Sequence, residues 1–85
     1  MDSMFKTVSG GDVFLGERKM SLTEAELNQT KNTHAAYIRS LPPEEKHVRV
    51  HSVVFVPAAR ACVIEFFLSN HVHVLTETMT FFPAY

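Results

Sequence analysis

Cysteine is almost absent from this sequence. Cys62 is the single cysteine, and it has no partner within the chain. This excludes the internal disulfide framework that stabilises many small secreted domains. A lone thiol is typical of proteins in a reducing compartment, so we expect a cytoplasmic protein.

The sequence also lacks an excess of charge of either sign. Eight Lys or Arg residues are balanced by nine Asp or Glu residues, which gives a formal net charge of −1. Proteins that bind a phosphate backbone electrostatically carry clustered basic residues. The sequence therefore argues against nucleic acid as a partner.

Long apolar runs are missing as well. The most apolar stretch, residues 53–68, is interrupted by Pro57, Arg60 and Glu65. It falls short of the roughly 20 apolar residues that a membrane-spanning helix needs. We expect no membrane segment.

The chain instead has the composition of a small globular protein. Hydrophobic residues make up 46% of its 85 residues and charged residues 20%. This combination favours a folded domain over a disordered chain. At this length we expect one domain, residues 1–85, with one small core.

The first half of the chain predicts a hairpin and a helix. Ser9-Gly10-Gly11-Asp12 is a turn sequence between two short apolar segments, which predicts a β-hairpin. Ser21 and Glu24 have the spacing of a capping box, and Pro42-Pro43 ends any helix before it. We therefore expect an α-helix over about residues 21–40.

The second half predicts strands. Apolar and β-branched residues alternate over about 47–56, 62–68 and 72–82, with short connections between these segments. Short connections favour an antiparallel three-stranded meander. The expected fold class is α+β, with the N-terminal hairpin, the helix packed on one face of the meander, and the second face uncovered.

Odd-numbered positions of the predicted strands carry the apolar residues of that second face. The predicted interface consists of Phe55, Val63, Phe67, Leu75, Met79 and Phe81. Exposed apolar surface of this kind marks interaction sites more often than catalytic ones. The leading hypothesis is a non-enzymatic protein–protein interaction module, a regulator or inhibitor that binds a larger protein and forms a homodimer.

A polar cluster at one end of the same face supports two alternative hypotheses. Its predicted members are Arg49, His51, Glu65, His71 and His73. Histidine and arginine could act on RNA in the manner of small RNase toxins by stabilising phosphate charge. A His-x-His pair beside a glutamate could instead bind zinc, although the spacing is a weak metal signal. We assign no catalytic residue, metal or cofactor from the sequence.

Overall fold

A computed structural model describes residues 4–85, which form five β-strands and two α-helices. The strands are β1 (Met4–Ser9), β2 (Asp12–Arg18), β3 (Arg49–Val56), β4 (Val72–Thr76) and β5 (Phe81–Phe82). The helices are α1 (Glu24–Ser40) and α2 (Ala61–Ser69), with a single 3₁₀ turn at Pro43–Glu45. Neither α-helix of this part of the chain has the length and apolarity needed to cross a membrane.

All five strands belong to one mixed sheet, in the order β1-β2-β3-β4-β5. The pairs β2–β3 and β3–β4 are parallel, whereas β1–β2 and β4–β5 are antiparallel. The α+β class is confirmed. The antiparallel three-stranded meander with a single helix is wrong, because helices α1 and α2 provide the long crossovers that parallel neighbours require.

The N-terminal hairpin lies where the sequence predicts it. Its two strands pair without interruption from Met4 opposite Glu17 to Ser9 opposite Asp12. Gly10 has a φ of 59°, which is the conformation that the first central residue of a tight two-residue turn adopts and that glycine accepts without strain.

Helix α1 begins two residues later than the capping box at Ser21 predicts. Thr23 is the N-cap, and its Oγ1 accepts a hydrogen bond from the backbone N–H of Glu26 at 3.2 Å. The later start places Leu22 just before the cap and Leu27 four residues into the helix, and both are buried in the core. Their positions are those of a hydrophobic staple, which explains why the cap at Thr23 is preferred.

The segment expected to be the middle strand is helix α2. Ile64, Phe67 and Leu68 are buried, at the i, i+3, i+4 spacing of one helix face. The same segment also shows apolar residues at every second position, so a short apolar run fits both interpretations. Alternation along a strand would place Cys62 on the buried, even-numbered side, whereas Cys62 on α2 is exposed.

Both helices pack on one side of the sheet. The core joins Leu27 of α1 and Phe67 of α2 to Val54, Val56, Val72 and Val74, which are even-numbered residues of β3 and β4. Since side chains alternate across a strand, the odd-numbered residues of β3 and β4 lie on the opposite side.

A buried ion cluster connects the end of β2 to the first turn of α1. The Nζ of Lys19 lies 3.0 Å from a carboxylate oxygen of Glu17 and 2.8 Å from one of Glu26. Lys19 also donates a hydrogen bond to the side-chain oxygen of Gln29. Burial alone would lower the pKa of Lys19, but the two carboxylates outweigh it and hold this pKa above its ordinary value.

Candidate interaction face

We call the side of the sheet opposite the two helices the open face. Residues paired on neighbouring strands have their side chains on the same face, so the pairs β1–β2, β2–β3, β3–β4 and β4–β5 identify the residues of this face. The residues of the open face are Phe5, Thr7, Ser9, Asp12, Phe14, Gly16, Arg18, Arg49, His51, Val53, Phe55, His73, Leu75 and Phe81. Most are apolar or aromatic. The charged Asp12 and Arg49 lie where β2 and β3 begin, and the exposed Arg18 lies at the end of β2.

Four of these side chains form an aromatic row, one ring from each of β2 to β5. The ring centroids of Phe14 and His51 are 4.9 Å apart and stacked. His51 and His73 follow at 5.8 Å, and His73 and Phe81 at 5.5 Å. Each ring of the row contacts the next one, and these contacts limit the rotamers that the rings can adopt.

Asp12 links the first residues of β2 and β3. Its Oδ1 accepts a hydrogen bond from Nε2 of His51 at 3.0 Å and lies 2.9 Å from Nε of Arg49. The hydrogen bond from His51, together with that from Arg49, lowers the pKa of Asp12 below its ordinary value. An ionised Asp12 accepts from Nε2 of His51, which leaves Nδ1 as the acceptor nitrogen of a neutral His51 ring.

The C-terminal tail fixes the other histidine of the row. Nδ1 of His73 accepts a hydrogen bond from the backbone N–H of Ala84 at 2.9 Å. Neutral His73 must therefore carry its proton on Nε2. Burial, and then the nearby His51, lower the pKa of His73. His73 is thus a neutral, oriented ring at neutral pH.

The structure separates the six predicted interface residues. Phe55, Leu75 and Phe81 lie on the open face, and Met79 is exposed in the turn between β4 and β5. Val63 is half-buried on α2 against the core, on the other side of the sheet. Phe67, expected at the centre of the exposed face, is fully buried, because a helix turns this residue inward where a strand would turn it outward.

The predicted polar cluster is also divided. Arg49, His51 and His73 lie on the open face, and the rings of His51 and His73 are adjacent rather than separated by an intervening strand. Glu65 and His71 lie elsewhere and both contact Tyr85, whose hydroxyl donates to the Glu65 carboxylate and whose carbonyl oxygen lies 3.1 Å from Nδ1 of His71. The bond to Glu65 raises the pKa of Tyr85.

No group of three or more metal-binding side chains comes together within residues 4–85. His71, His73 and Glu65, the three residues of the zinc-site hypothesis, therefore do not come together as such a group.

Sequence reasoning missed Asp12 and Phe14 as members of this face. Both residues belong to β2, and the predicted antiparallel meander did not include β2 as a neighbour of β3. Parallel pairing sets Phe14 directly opposite His51. The alternation of Asp12 and Phe14 along one strand was the available signal, but it indicates a shared face only once the neighbouring strand is known.

A second polar group lies on the helix side, in a pocket of about 170 Å³. There His34 Nδ1 lies 2.8 Å from the hydroxyl of the buried Ser52. Lys31 borders the pocket and donates to the Asn70 side chain at 3.2 Å. Burial, followed by His51, lowers the pKa of His34. These polar groups form hydrogen bonds with one another, so they offer a partner fewer free polar contacts.

Comparison with protein-family models, with curated proteins and with solved structures finds no match to this chain.

Proposed function

We propose that this chain is a small non-enzymatic interaction module, a regulator or inhibitor that binds a larger protein through the open face. One observation carries the proposal: both helices pack on the same side of the sheet, and the other side presents aromatic and apolar side chains to solvent. Phe5 and Phe81, near its two ends, are each 49% exposed. The cytoplasmic location expected from the lone cysteine is part of this proposal.

The composition of the open face matches that of the centre of a protein interface. Aromatic residues, methionine and arginine are enriched at such centres, and unpaired charges are depleted. Here Phe14, Phe55 and Phe81 contribute apolar area, and the charges of Asp12 and Arg49 at one end of the face already form an ion pair. The partner surface that fits is therefore mainly apolar, apart from the region that faces the exposed Arg18.

The open face is also rigid, which lowers the entropic cost of binding. Stacked rings on neighbouring strands have few accessible rotamers, so little side-chain freedom is lost when a partner covers them. Burial of apolar area contributes about 25 cal/mol per Å². Phe81 is the strongest candidate anchor, because it is half exposed and its ring is supported by His73.

The test compares Phe81→Glu with Met20→Glu in affinity purification followed by mass spectrometry. Both substitutions place one carboxylate at an exposed apolar position, but Met20 lies in the connection between β2 and α1, outside the open face. We expect the partner to be retained by the wild-type protein and by Met20→Glu and lost with Phe81→Glu. With the purified partner, calorimetry should show at least about a thirtyfold loss of affinity for Phe81→Glu, as for an interface hot spot.

Circular dichroism of both variants controls for folding. Equal capture of the same partners by the wild-type protein and by a folded Phe81→Glu variant would contradict the proposal.

A second candidate function is cleavage or binding of RNA by the histidines of the open face. The observation that favours it is the contact of Asp12 with His51 beside His73 and Arg49, which is a closer grouping than the sequence predicts. A carboxylate-oriented, neutral His51 could accept a proton at Nδ1, whereas His73 could donate a proton only from its imidazolium form, which its lowered pKa confines to acidic pH. This function predicts cleavage of single-stranded RNA that is lost with His51→Gln, and binding that weakens steeply with salt. If the purified protein neither cleaves nor binds RNA, this second function is rejected and the interaction module is retained.

A further inference from the structure

The two edges of the sheet are unequal. Strand β5 forms one edge and has only two residues, Phe81 and Phe82. Strand β1 forms the other, with six residues that are all exposed. Its pairing with β2 runs without a bulge from Met4 to Ser9, and it contains no proline. Long, regular edge strands without bulges or proline readily pair with another strand, whereas very short ones do not.

The hairpin turn determines which backbone groups of β1 face the free edge. The two-residue turn at Gly10 closes on the pair Ser9 and Asp12, which is the hydrogen-bonded pair of such a hairpin. Because hydrogen-bonded and non-hydrogen-bonded pairs alternate, Thr7 also directs its N–H and C=O toward β2. Lys6 and Val8 direct theirs away from the sheet.

We propose that a second copy of this chain occupies this edge, with the two β1 strands antiparallel about a two-fold axis at Thr7. A two-fold axis between antiparallel strands places one residue opposite itself. An axis at Thr7 places two β-branched threonines opposite each other, which is a favourable cross-strand pair. The same axis places Lys6 opposite Val8 of the second copy, so that both residues exchange backbone hydrogen bonds.

Charge disfavours the register centred on Lys6, one of the two neighbouring registers. An axis at Lys6 would place two ammonium groups directly opposite each other, which destabilises a strand pair. In the register centred on Thr7, Lys6 faces an apolar side chain. Its Nζ lies 5.8 Å from the centre of the Tyr37 ring, so the single charge of β1 is drawn toward helix α1 and away from the free edge.

This pairing keeps the helices of both copies on one side of a continuous sheet. The two open faces then adjoin each other, with Phe5 and Thr7 of each copy near the axis. Strand pairing alone buries less surface than a permanent interface, so the dimer belongs to the weak, reversible class, with a dissociation constant in the micromolar range. The inference is independent of the proposed function, because Phe81 lies on β5 at the far edge.

Single-cysteine variants test the register in a Cys62→Ser background, which removes the exposed native thiol. Opposed residues of a non-hydrogen-bonded pair have Cα atoms about 4.5 Å apart, within the range of roughly 4.4 to 6.8 Å that a disulfide spans. We expect Thr7→Cys to form a crosslinked dimer under mild oxidation. Val8→Cys is the matched control: it keeps Lys6, and the two introduced thiols would lie diagonally, too far apart to bond. Crosslinking of Val8→Cys as fast as Thr7→Cys would refute the register.

Proline substitution tests the edge without cysteine chemistry. Val8→Pro removes an N–H that faces the free edge, so the hairpin should survive and the melting temperature should change little. Sedimentation should then show at least a tenfold weaker dimer. Thr7→Pro is the contrasting variant: it removes an N–H bonded to β2 and should lower the melting temperature. A wild-type protein that sediments as a monomer throughout the micromolar range, or a Val8→Pro variant that dimerises like the wild type, would overturn the inference, whereas Phe81→Glu should leave the dimer intact.

Discussion

At the scale of single residues, the start of helix α1 shows how two overlapping signals are resolved. Ser21 and Thr23 each precede a glutamate by three residues, so both could form a capping box. Only a cap at Thr23 places Leu22 and Leu27 where they can pack together in the core. Tertiary packing therefore selects between local patterns that are equivalent in sequence.

The first prediction follows from this choice. Thr23→Ala removes the side-chain oxygen that accepts from the N–H of Glu26, and should lower the free energy of unfolding by about 1 kcal/mol. Ser21→Ala is the matched control, because Ser21 is exposed and lies outside the helix; its effect should be within about 0.5 kcal/mol of zero. Urea denaturation measures both. A larger loss for Ser21→Ala than for Thr23→Ala would show that the helix starts at the earlier cap.

At the scale of secondary-structure elements, local signals were sufficient to find the hairpin and helix of the first half, but they were not sufficient to identify every element of the second half. The hairpin at Gly10-Gly11 and the end of α1 before Pro42 depend on turn and capping chemistry within a few residues. Strands β3 and β4 were found with their buried sides assigned correctly, because Val54 and Val74 follow simple alternation. Their parallel pairing was missed, because it depends on whether the segment between them is a strand or a helix.

The segment between β3 and β4 fits the apolar periodicity of a strand and that of a helix equally well. This ambiguity caused the errors in the predicted site. A strand interpretation separates His51 from His73, whereas helix α2 removes the segment from the sheet and makes β3 and β4 neighbours. The same change moved Phe67 from the exposed face into the core. Parts of the candidate site that depend only on alternation, such as Phe55 and Leu75, were therefore predictable, and parts that depend on strand order, such as Asp12, were not.

Adjacent phenylalanines provide the second prediction. Phe66 is 44% exposed and Phe67 is fully buried, the reverse of what a strand would give. Phe67→Ala should cost about 3 to 5 kcal/mol, because a large core side chain is lost and a cavity remains. Phe66→Ala should cost much less. Chemical denaturation measures the difference, and Phe67→Leu gives a milder change if the alanine variant does not fold. Equal losses at the two positions would contradict the helical orientation of α2.

At the scale of the whole molecule, the sheet divides the chain into a packed side and an open side, and a half-buried histidine lies on each. His34 on the helix side is hydrogen-bonded to Ser52, and His73 on the open side accepts from Ala84. His51 raises the cost of protonating both, after the larger effect of burial. The fold is thus built around neutral histidines and should weaken when they gain protons.

The third prediction is a fall in stability on mild acidification. The pKa values of His34 and His73 both lie below the ordinary value of 6.5, which the unfolded chain retains. Below that value the unfolded state binds more protons than the folded state, so the stability that these residues contribute is complete above pH 6.5 and is lost as the pH falls toward their lowered pKa values. Urea midpoints measured between about pH 7.5 and pH 5 should therefore decrease as the pH falls.

The double variant His34→Gln, His73→Gln should show a shallower decrease, because neither glutamine titrates. NMR titration of the two imidazole rings separates their contributions, and protonation of His73 should coincide with loss of the Ala84 hydrogen bond. A stability that rises with acidification, or a double variant as pH-sensitive as the wild type, would show that these two histidines are not the groups that couple the fold to pH.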